Sequence, residues 1–395
     1  MSSTHAAIVG VCEYKARKSL VGVSETGLEQ AADLTLRALA DAGLRLADVN
    51  GVSVAGIWET AMFAPSTVTE YLGITVDFAD SLDLGGATCA SMVGRAAVAI
   101  QAGMADVVVC VVPGNYPPPS DEGLDWRYLG ASSYKQGSPQ AEFEIPFGHL
   151  GQNVPYAFIA QRYAGAYGYD ARALARLVAH QRINACRNPD AIFFEHPVTE
   201  DEVLASRMIA PPLRMLEIVR PVTGGAAVVV ASERLARQCR HRPAFVLGYA
   251  ETVAHKSPQF ATDMLAPPLR RAADRAFGRA GLSRGDIDAA QIYDCYSIAV
   301  LMALEAAGFC ENGTGMRFLA DRDMTFSGDF PLNTNGGQLG FGQAGAAGGM
   351  THVVEGARQI MGVAGERQVR SCDAVFVSGN GGIMSEQCAL ILGGG

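Results

Sequence analysis

The run Leu84-Gly85-Gly86-Ala87-Thr88-Cys89-Ala90-Ser91-Met92 places a cysteine just after a glycine turn, at the head of a small-residue segment expected to be helical as far as Gly103. A thiol at a helix N-terminus sits in the positive end of the backbone dipole, which favours thiolate and so nucleophilic attack. Taken alone, such a cysteine is equally an inert core residue, because free cysteine is among the most buried residue types. A tyrosine at the end of a strand-like Ala290-Gln291-Ile292-Tyr293 is a second group able to move a proton, or simply a hydrogen-bonded core aromatic. Glycines 336, 337, 348, 349, 379, 381 and 382 can bring backbone amides close to a ligand, or serve ordinary turns. No G-x-x-x-x-G-K-[ST] pattern accompanies them, so phosphate-loop nucleotide hydrolysis has no support.

The elements that must hold these residues come in two matching sets. Residues 25–43 carry apolar side chains at helical spacing, end at Gly43 and lead to a strand-like Gly51-Val52-Ser53-Val54. Residues 265–281 repeat that design, end at Gly281 and lead to Ala290-Gln291-Ile292-Tyr293. Within them, Ala42-Gly43-Leu44 followed by Asp48-Val49 returns as Ala280-Gly281-Leu282 followed by Asp286-Ile287. Asp106-Val107-Val108-Val109 likewise returns as Asp373-Ala374-Val375-Phe376-Val377, each after a helix rich in glycine and alanine. Two echoes in the same order predict a duplicated α/β unit. The halves are expected at 1–240 and 241–395. Residues 113–221, with the Pro117-Pro118-Pro119 turn and helical runs at 154–167 and 171–187, form an inserted loop domain that covers a site or only stabilises the fold.

At 395 residues, 49% hydrophobic and only 18% charged, the chain can bury large cores. Its longest apolar stretches, 105–113 and 226–231, are shorter than the roughly 20 residues a membrane helix needs, so no span is expected. The start shows no basic-then-apolar leader, which predicts a cytoplasmic protein. Nine cysteines without paired spacing read as reduced thiols, with no metal site. A net charge of -9 argues against nucleic acid as a partner.

The motifs resemble those of the thiolase superfamily, in particular the sterol carrier protein thiolase and lipid-transfer-protein branch. Gly85-Gly86-Ala87-Thr88-Cys89-Ala90 is similar to the nucleophile turn, Tyr293-Asp294-Cys295-Tyr296-Ser297 to the His-Asp-Cys-Phe motif, and Asn333-Thr334-Asn335-Gly336-Gly337 to the Asn-x-x-Gly-Gly segment. The resemblance spans nearly the whole chain. It implies a duplicated five-layered α-β-α-β-α thiolase fold and a homodimer. It also implies an acyl-CoA substrate, with coenzyme A part of that substrate and no cofactor permanently bound. A separate subunit combining a zinc ribbon with an OB fold is a further implied partner.

The departures from the family bear on mechanism. Gln343, in Gly342-Gln343-Ala344, stands where thiolases carry the Gly-His-Pro histidine, and Ser378-Gly379-Asn380 stands where they carry Cys-x-Gly. Neither glutamine nor an unassisted serine is a competent base near neutrality. None of the seven histidines, His352 among them, falls at a family catalytic position. The motifs come nearest to the steroid side-chain aldolases of the superfamily, which carry Tyr-Asp where thiolases carry His-Asp. Retro-aldol cleavage of a β-hydroxyacyl-CoA is therefore favoured. Tyr293 would be the proton-transfer group with its acidity raised by its surroundings, and Gln343 would donate to an oxyanion. Gly336, Gly337, Ser378, Gly379 and Asn380 would form the oxyanion and substrate loops. Two alternatives stay open: an acyl-CoA C-acyltransferase using Cys89, and a non-catalytic acyl-CoA-binding subunit.

Overall fold

The computed structural model describes residues 5–18, 25–60, 62–114, 139–149, 151–256 and 258–395; the Pro117-Pro118-Pro119 turn lies outside the described residues. The strands are β1 (Ala6–Glu13), β2 (Gly51–Val54), β3 (Phe78–Ser81), β4 (Val107–Gly114), β5 (Met208–Ala210), β6 (Leu213–Arg214), β7 (Gly224–Ser232), β8 (Ala244–Val253), β9 (Ala289–Gln291), β10 (Ala374–Gly381) and β11 (Glu386–Gly394). The helices of the first half are α1 (Gly27–Ala42), α2 (Ala64–Leu72), α3 (Thr88–Gln101), α4 (Pro139–Phe143), α5 (Asn153–Tyr167), α6 (Ala171–Ala185), α7 (Glu200–Ala205) and α8 (Glu233–Ala236). Those of the second are α9 (Leu269–Ala280), α10 (Ser297–Ala307), α11 (Gly315–Asp321), α12 (Gly337–Phe341) and α13 (Met350–Met361).

The strand order β3-β2-β4-β7-β1-β8-β11-β10-β9 contains one motif twice. β2 runs parallel to β4, which is antiparallel to β7, which is antiparallel to β1. In the same sense β9 runs parallel to β10, which is antiparallel to β11, which is antiparallel to β8. The repeats meet at a short β1–β8 pairing. Their equivalence extends to single residues. Asp48 bonds back to the Arg45 amide at 2.8 Å, and Asp286 bonds back to the Ser283 amide at 2.7 Å, each closing the same tight turn after a helix. Gly43 and Gly281 end α1 and α9 in the left-handed region, at φ 77° and 67°, where glycine carries no steric penalty. α9 begins at Leu269, later than the 265 expected, because Pro267-Pro268 supply no amide hydrogens for a preceding turn.

Alternation along the strands builds the layers. Val107, Val109 and Val111 of β4 join α1 in one outer core, while Val108, Cys110 and Val112 face inward. The inward set meets α3 and α13, which lie between the two halves of the sheet and also pack on Val375, Val377 and Leu390. α9 and α10 cover the opposite outer face against Phe376 and Ile391. The result is the five-layered α-β-α-β-α sandwich. Because both faces of β1, β4 and β7 are buried, these strands read as near-continuous apolar runs. Residues 115–223 are inserted between β4 and β7, whereas the second repeat turns from β10 to β11 at 382–385. Among the described residues no helix is long and apolar enough to cross a membrane.

Two glycines set the distance between outer helices and sheet. A Cβ on Gly10 would lie 2.3 Å from the Ala38 carbonyl oxygen, and one on Gly248 would lie 2.1 Å from that of Ala276. Since backbone cannot swing aside, Gly248→Ala must push α9 off the sheet. Urea unfolding should show a loss of about 1–3 kcal/mol, the usual cost of overpacking. An unchanged midpoint would show that α9 is not seated by this contact.

Candidate active site

Three loops and two helix starts converge at the centre of the sandwich. The turn at 85–87 feeds α3 directly, and the Leu84 amide donates to Thr88 Oγ1 at 2.8 Å, fixing how the helix begins. Cys89 is therefore in the first turn of α3, fully buried. The amides of Gly349 and Met350, at the start of α13, also point at its Sγ. Two helix N-termini thus face one sulfur, a field that favours negative charge. Burial outweighs it: removal from water, reinforced by neighbouring Cys388, pushes the Cys89 thiol up to about 12. The thiol donates to the Ala346 carbonyl at 3.4 Å and is not a nucleophile at rest.

Tyr293 follows β9, and its position is set by its neighbours in sequence. The Asn333 side chain accepts from the Ile292 amide at 2.7 Å and donates to the Ile292 carbonyl at 2.9 Å, clamping the end of the strand. The Tyr293 amide donates to Ser378 Oγ at 3.3 Å. Its ring lies on Gly86, where a Cβ would come 2.2 Å from Cζ, so the tyrosine and the cysteine turn are in direct contact. Gln343 Nε2 donates to the Tyr293 hydroxyl at 3.3 Å. Gln343 is itself held through its backbone, donating to Arg220 and accepting from Val222, both at 2.9 Å. Cys89, Tyr293 and Gln343 therefore meet, as the motifs implied. The expected acidic tyrosine is corrected: burial, then neighbouring Cys295, pushes the phenol above its ordinary range, and the Gln343 amide only partly opposes this. Tyr293 rests as a neutral phenol.

The glycine and loop positions divide. Gly379 packs on Ala87, and Asn380 donates to the Tyr156 hydroxyl at 3.0 Å and accepts from Gln387 at 2.7 Å, so this strand end borders the site. The amides of Gly336 and Gly337 already donate, to Asn333 O at 2.8 Å and Asn335 Oδ1 at 2.9 Å. They are not oxyanion donors, which corrects that expectation. Gly337 instead lets α12 start against Asp294, whose Oδ2 would lie 2.2 Å from any Cβ there.

Several functional neighbours escaped the sequence reading. His352 is fully buried, with Nε2 3.1 Å from Asp294 Oδ1 and its ring centroid 5.9 Å from that of Tyr293. Gln338 bridges the same two residues, its Nε2 3.3 Å from His352 Nε2 and its amide in reach of the Tyr293 hydroxyl. The available signal was helical spacing: His352 lies three residues beyond Gly349, and thus on the face that meets Cys89. Tyr156 comes from the inserted region on α5 and stacks on Tyr296 at 4.2 Å, placing part of that region over the site. Among the described residues no cluster suits a metal ion.

Residues 250–394 match the family model described as Thiolase C-terminal domain-like. The chain is 32% identical to the 17-hydroxy-3-oxo-4-pregnene-20-carboxyl-CoA lyase of Mycobacterium tuberculosis, covering 100% of both chains. It is 31% identical to the steroid side-chain-cleaving aldolase of Thermomonospora curvata, covering 95% of both. A solved structure of the Ltp2-ChsH2(DUF35) aldolase superposes with a TM-score of 0.87 at 29% identity, over 99% of this chain and 98% of that one.

A thiol with a pKa of about 12 is almost wholly protonated at pH 8. Iodoacetamide should then label Cys89 about a hundredfold or more slowly than free cysteine, whose pKa is about 8.5. Peptide mass spectrometry over a time course reads this, and rapid selective labelling of Cys89 would restore it as a nucleophile.

Proposed function

The chain belongs to the thiolase superfamily, within the branch that holds the steroid side-chain-cleaving aldolases, and on that premise we propose that it cleaves a β-hydroxyacyl-CoA by a retro-aldol reaction. The observation that carries the reading is the neutral Tyr293 phenol, bonded to Gln343, beside a thiol that burial keeps protonated. An acyltransferase needs an acyl-cysteine and a base to make the thiolate. Here the family's histidine position holds Gln343, which does not titrate.

Retro-aldol cleavage needs no covalent intermediate. The Cα–Cβ bond breaks, its electron pair moves onto Cα as a thioester enolate, and the β-oxygen becomes a carbonyl as it loses its proton. Overall one proton passes from the β-oxygen to Cα. Tyr293 can carry that exchange, taking the β-hydroxyl proton as it gives its own to the enolate, so that it begins and ends as the phenol. A raised pKa suits a group that must never remain ionised. The α3 and α13 amides would stabilise the enolate oxygen, the role of preorganised donors in such sites.

Coenzyme A enters as part of the substrate, and no bound cofactor is invoked. We read the chain as a cytoplasmic homodimer divided near residue 240, working with a separate zinc-ribbon and OB-fold subunit. The two-component name of the Ltp2-ChsH2(DUF35) aldolase supports a second subunit. The start of the second repeat at Ala244 supports the division.

With a β-hydroxyacyl-CoA as substrate, Tyr293→Phe should lower kcat about 10²- to 10⁴-fold, the range for a lost proton-transfer group, with CoA-ester binding unchanged. Cys89→Ala should keep kcat within about threefold, since on this reading the thiol forms no covalent bond. The reverse pattern, with Cys89→Ala inactive and Tyr293→Phe active, would establish the acyltransferase instead.

A further inference from the structure

Asp294 follows Tyr293 directly, so whatever fixes its carboxylate also fixes the backbone that carries the phenol. The carboxylate is fully buried, with Oδ1 accepting from the Gln338 amide at 2.8 Å and Oδ2 from the Leu339 amide at 3.1 Å. His352 Nε2 stands 3.1 Å from Oδ1. A carboxylate only accepts, so that nitrogen carries a hydrogen and donates it. The Gln338 side-chain amide lies 3.3 Å from the same nitrogen; presented as oxygen, the choice its partners dictate, it accepts a share of that hydrogen. Nδ1 of the ring is buried with no partner among the described residues, so the imidazole is held through Nε2 alone.

The other end of this contact is the start of α13. His352 lies three residues beyond Gly349, on the same face of the helix. A Cβ on Gly349 would lie 2.7 Å from the Gly86 carbonyl oxygen and 3.4 Å from Cys89 Sγ, so the helix begins in contact with the cysteine turn. The Tyr293 ring closes on that same Gly86, with Cζ 2.2 Å from the Cβ position there. The His352 ring stands beside it, the two ring centroids 5.9 Å apart. His352 therefore joins the segment that carries the phenol to the segment that meets the thiol.

We propose that His352 is a positioning residue for the cleavage: by donating from Nε2 to Asp294, it sets the spacing between the Tyr293 hydroxyl, which exchanges the proton, and the start of α13, which faces the enolate oxygen. The proposal rests on the aldolase reading and deepens it. His352 touches neither the substrate nor the reacting atoms. Its effect falls on the rate, because donors and proton carrier must act on one thioester at the same moment, and small misplacement costs rate before it costs binding. The required property is one N–H at the reach of Nε2, since Nδ1 holds nothing.

The test uses three variants of the full chain. His352→Leu fills similar space without an N–H and should lower kcat for a β-hydroxyacyl-CoA about 10- to 100-fold, with KM within about twofold. His352→Gln carries its N–H where Nε2 stands and should stay within about threefold of wild type, whereas His352→Asn carries it where Nδ1 stands and should fall with the leucine variant. Gln and Asn are alike in chemistry and differ in reach, so this comparison holds even if the leucine variant fails to fold. A second reading needs no turnover. S-carboxymethyl-CoA bears an anionic oxygen beside the sulfur, near where the enolate oxygen would form. By calorimetry, the wild type and His352→Gln should bind it about tenfold or more tightly than CoA, and His352→Asn should lose that preference while binding CoA unchanged. Equal losses in the Gln and Asn variants, an unchanged kcat in folded His352→Leu, or no wild-type preference for the anion would overturn the proposal. Absence of wild-type cleavage, alongside an anion preference that follows this pattern, would instead overturn the aldolase reading alone.

Discussion

Removing a carboxylate from water costs several kcal/mol unless its oxygens find donors, and Asp294 is entirely removed. Two of its donors are the Gln338 and Leu339 amides in the first turn of α12, so that helix must begin where the carboxylate waits. The third is His352 on α13, the helix whose start also faces Cys89. One buried charge thereby ties the strand end carrying Tyr293 to both segments that complete the site. Gly337 belongs to the same constraint, since any side chain there would displace the carboxylate. Behind this arrangement a second buried acid, Glu355, accepts from Thr334 at 2.6 Å and pairs with Arg367, anchoring the loop before α12 to α13.

Burial also decides which chemistry the site supports. Cys89 and Tyr293 are both held protonated, because low dielectric penalises either anion. A reaction that needs a standing thiolate is disfavoured under that condition. A reaction that shifts one proton internally is not. The polar groups around Tyr293 are amides, Gln343 and Gln338, which direct a proton without keeping it.

Much of this was legible from residue order. The duplication could be read because Asp48 and Asp286, and Gly43 and Gly281, do jobs that few other residue types can do: closing a turn onto an amide and ending a helix with positive φ. The cysteine turn showed itself through glycines that admit the Tyr293 ring and neighbouring backbone. The tyrosine's acidity could not be read, because it depends on burial by segments distant in sequence. His352 was missed because its partner, Asp294, lies 58 residues away in sequence and no local pattern links them. The commitment of the Gly336 and Gly337 amides was likewise invisible, as it arises from the fold of the Asn333–Asn335 turn itself.

The convergence of the α3 and α13 starts on one point has an evolutionary consequence. The donors there are main-chain amides, present whatever side chains the gene encodes. Point mutation can swap a histidine for a glutamine or a cysteine for a serine, yet it leaves those amides in place so long as the helices fold. A lineage can therefore exchange its side-chain reagents one at a time while the capacity to hold an anion persists through every intermediate. New reactions can then arise on this scaffold without a generation in which the centre does nothing.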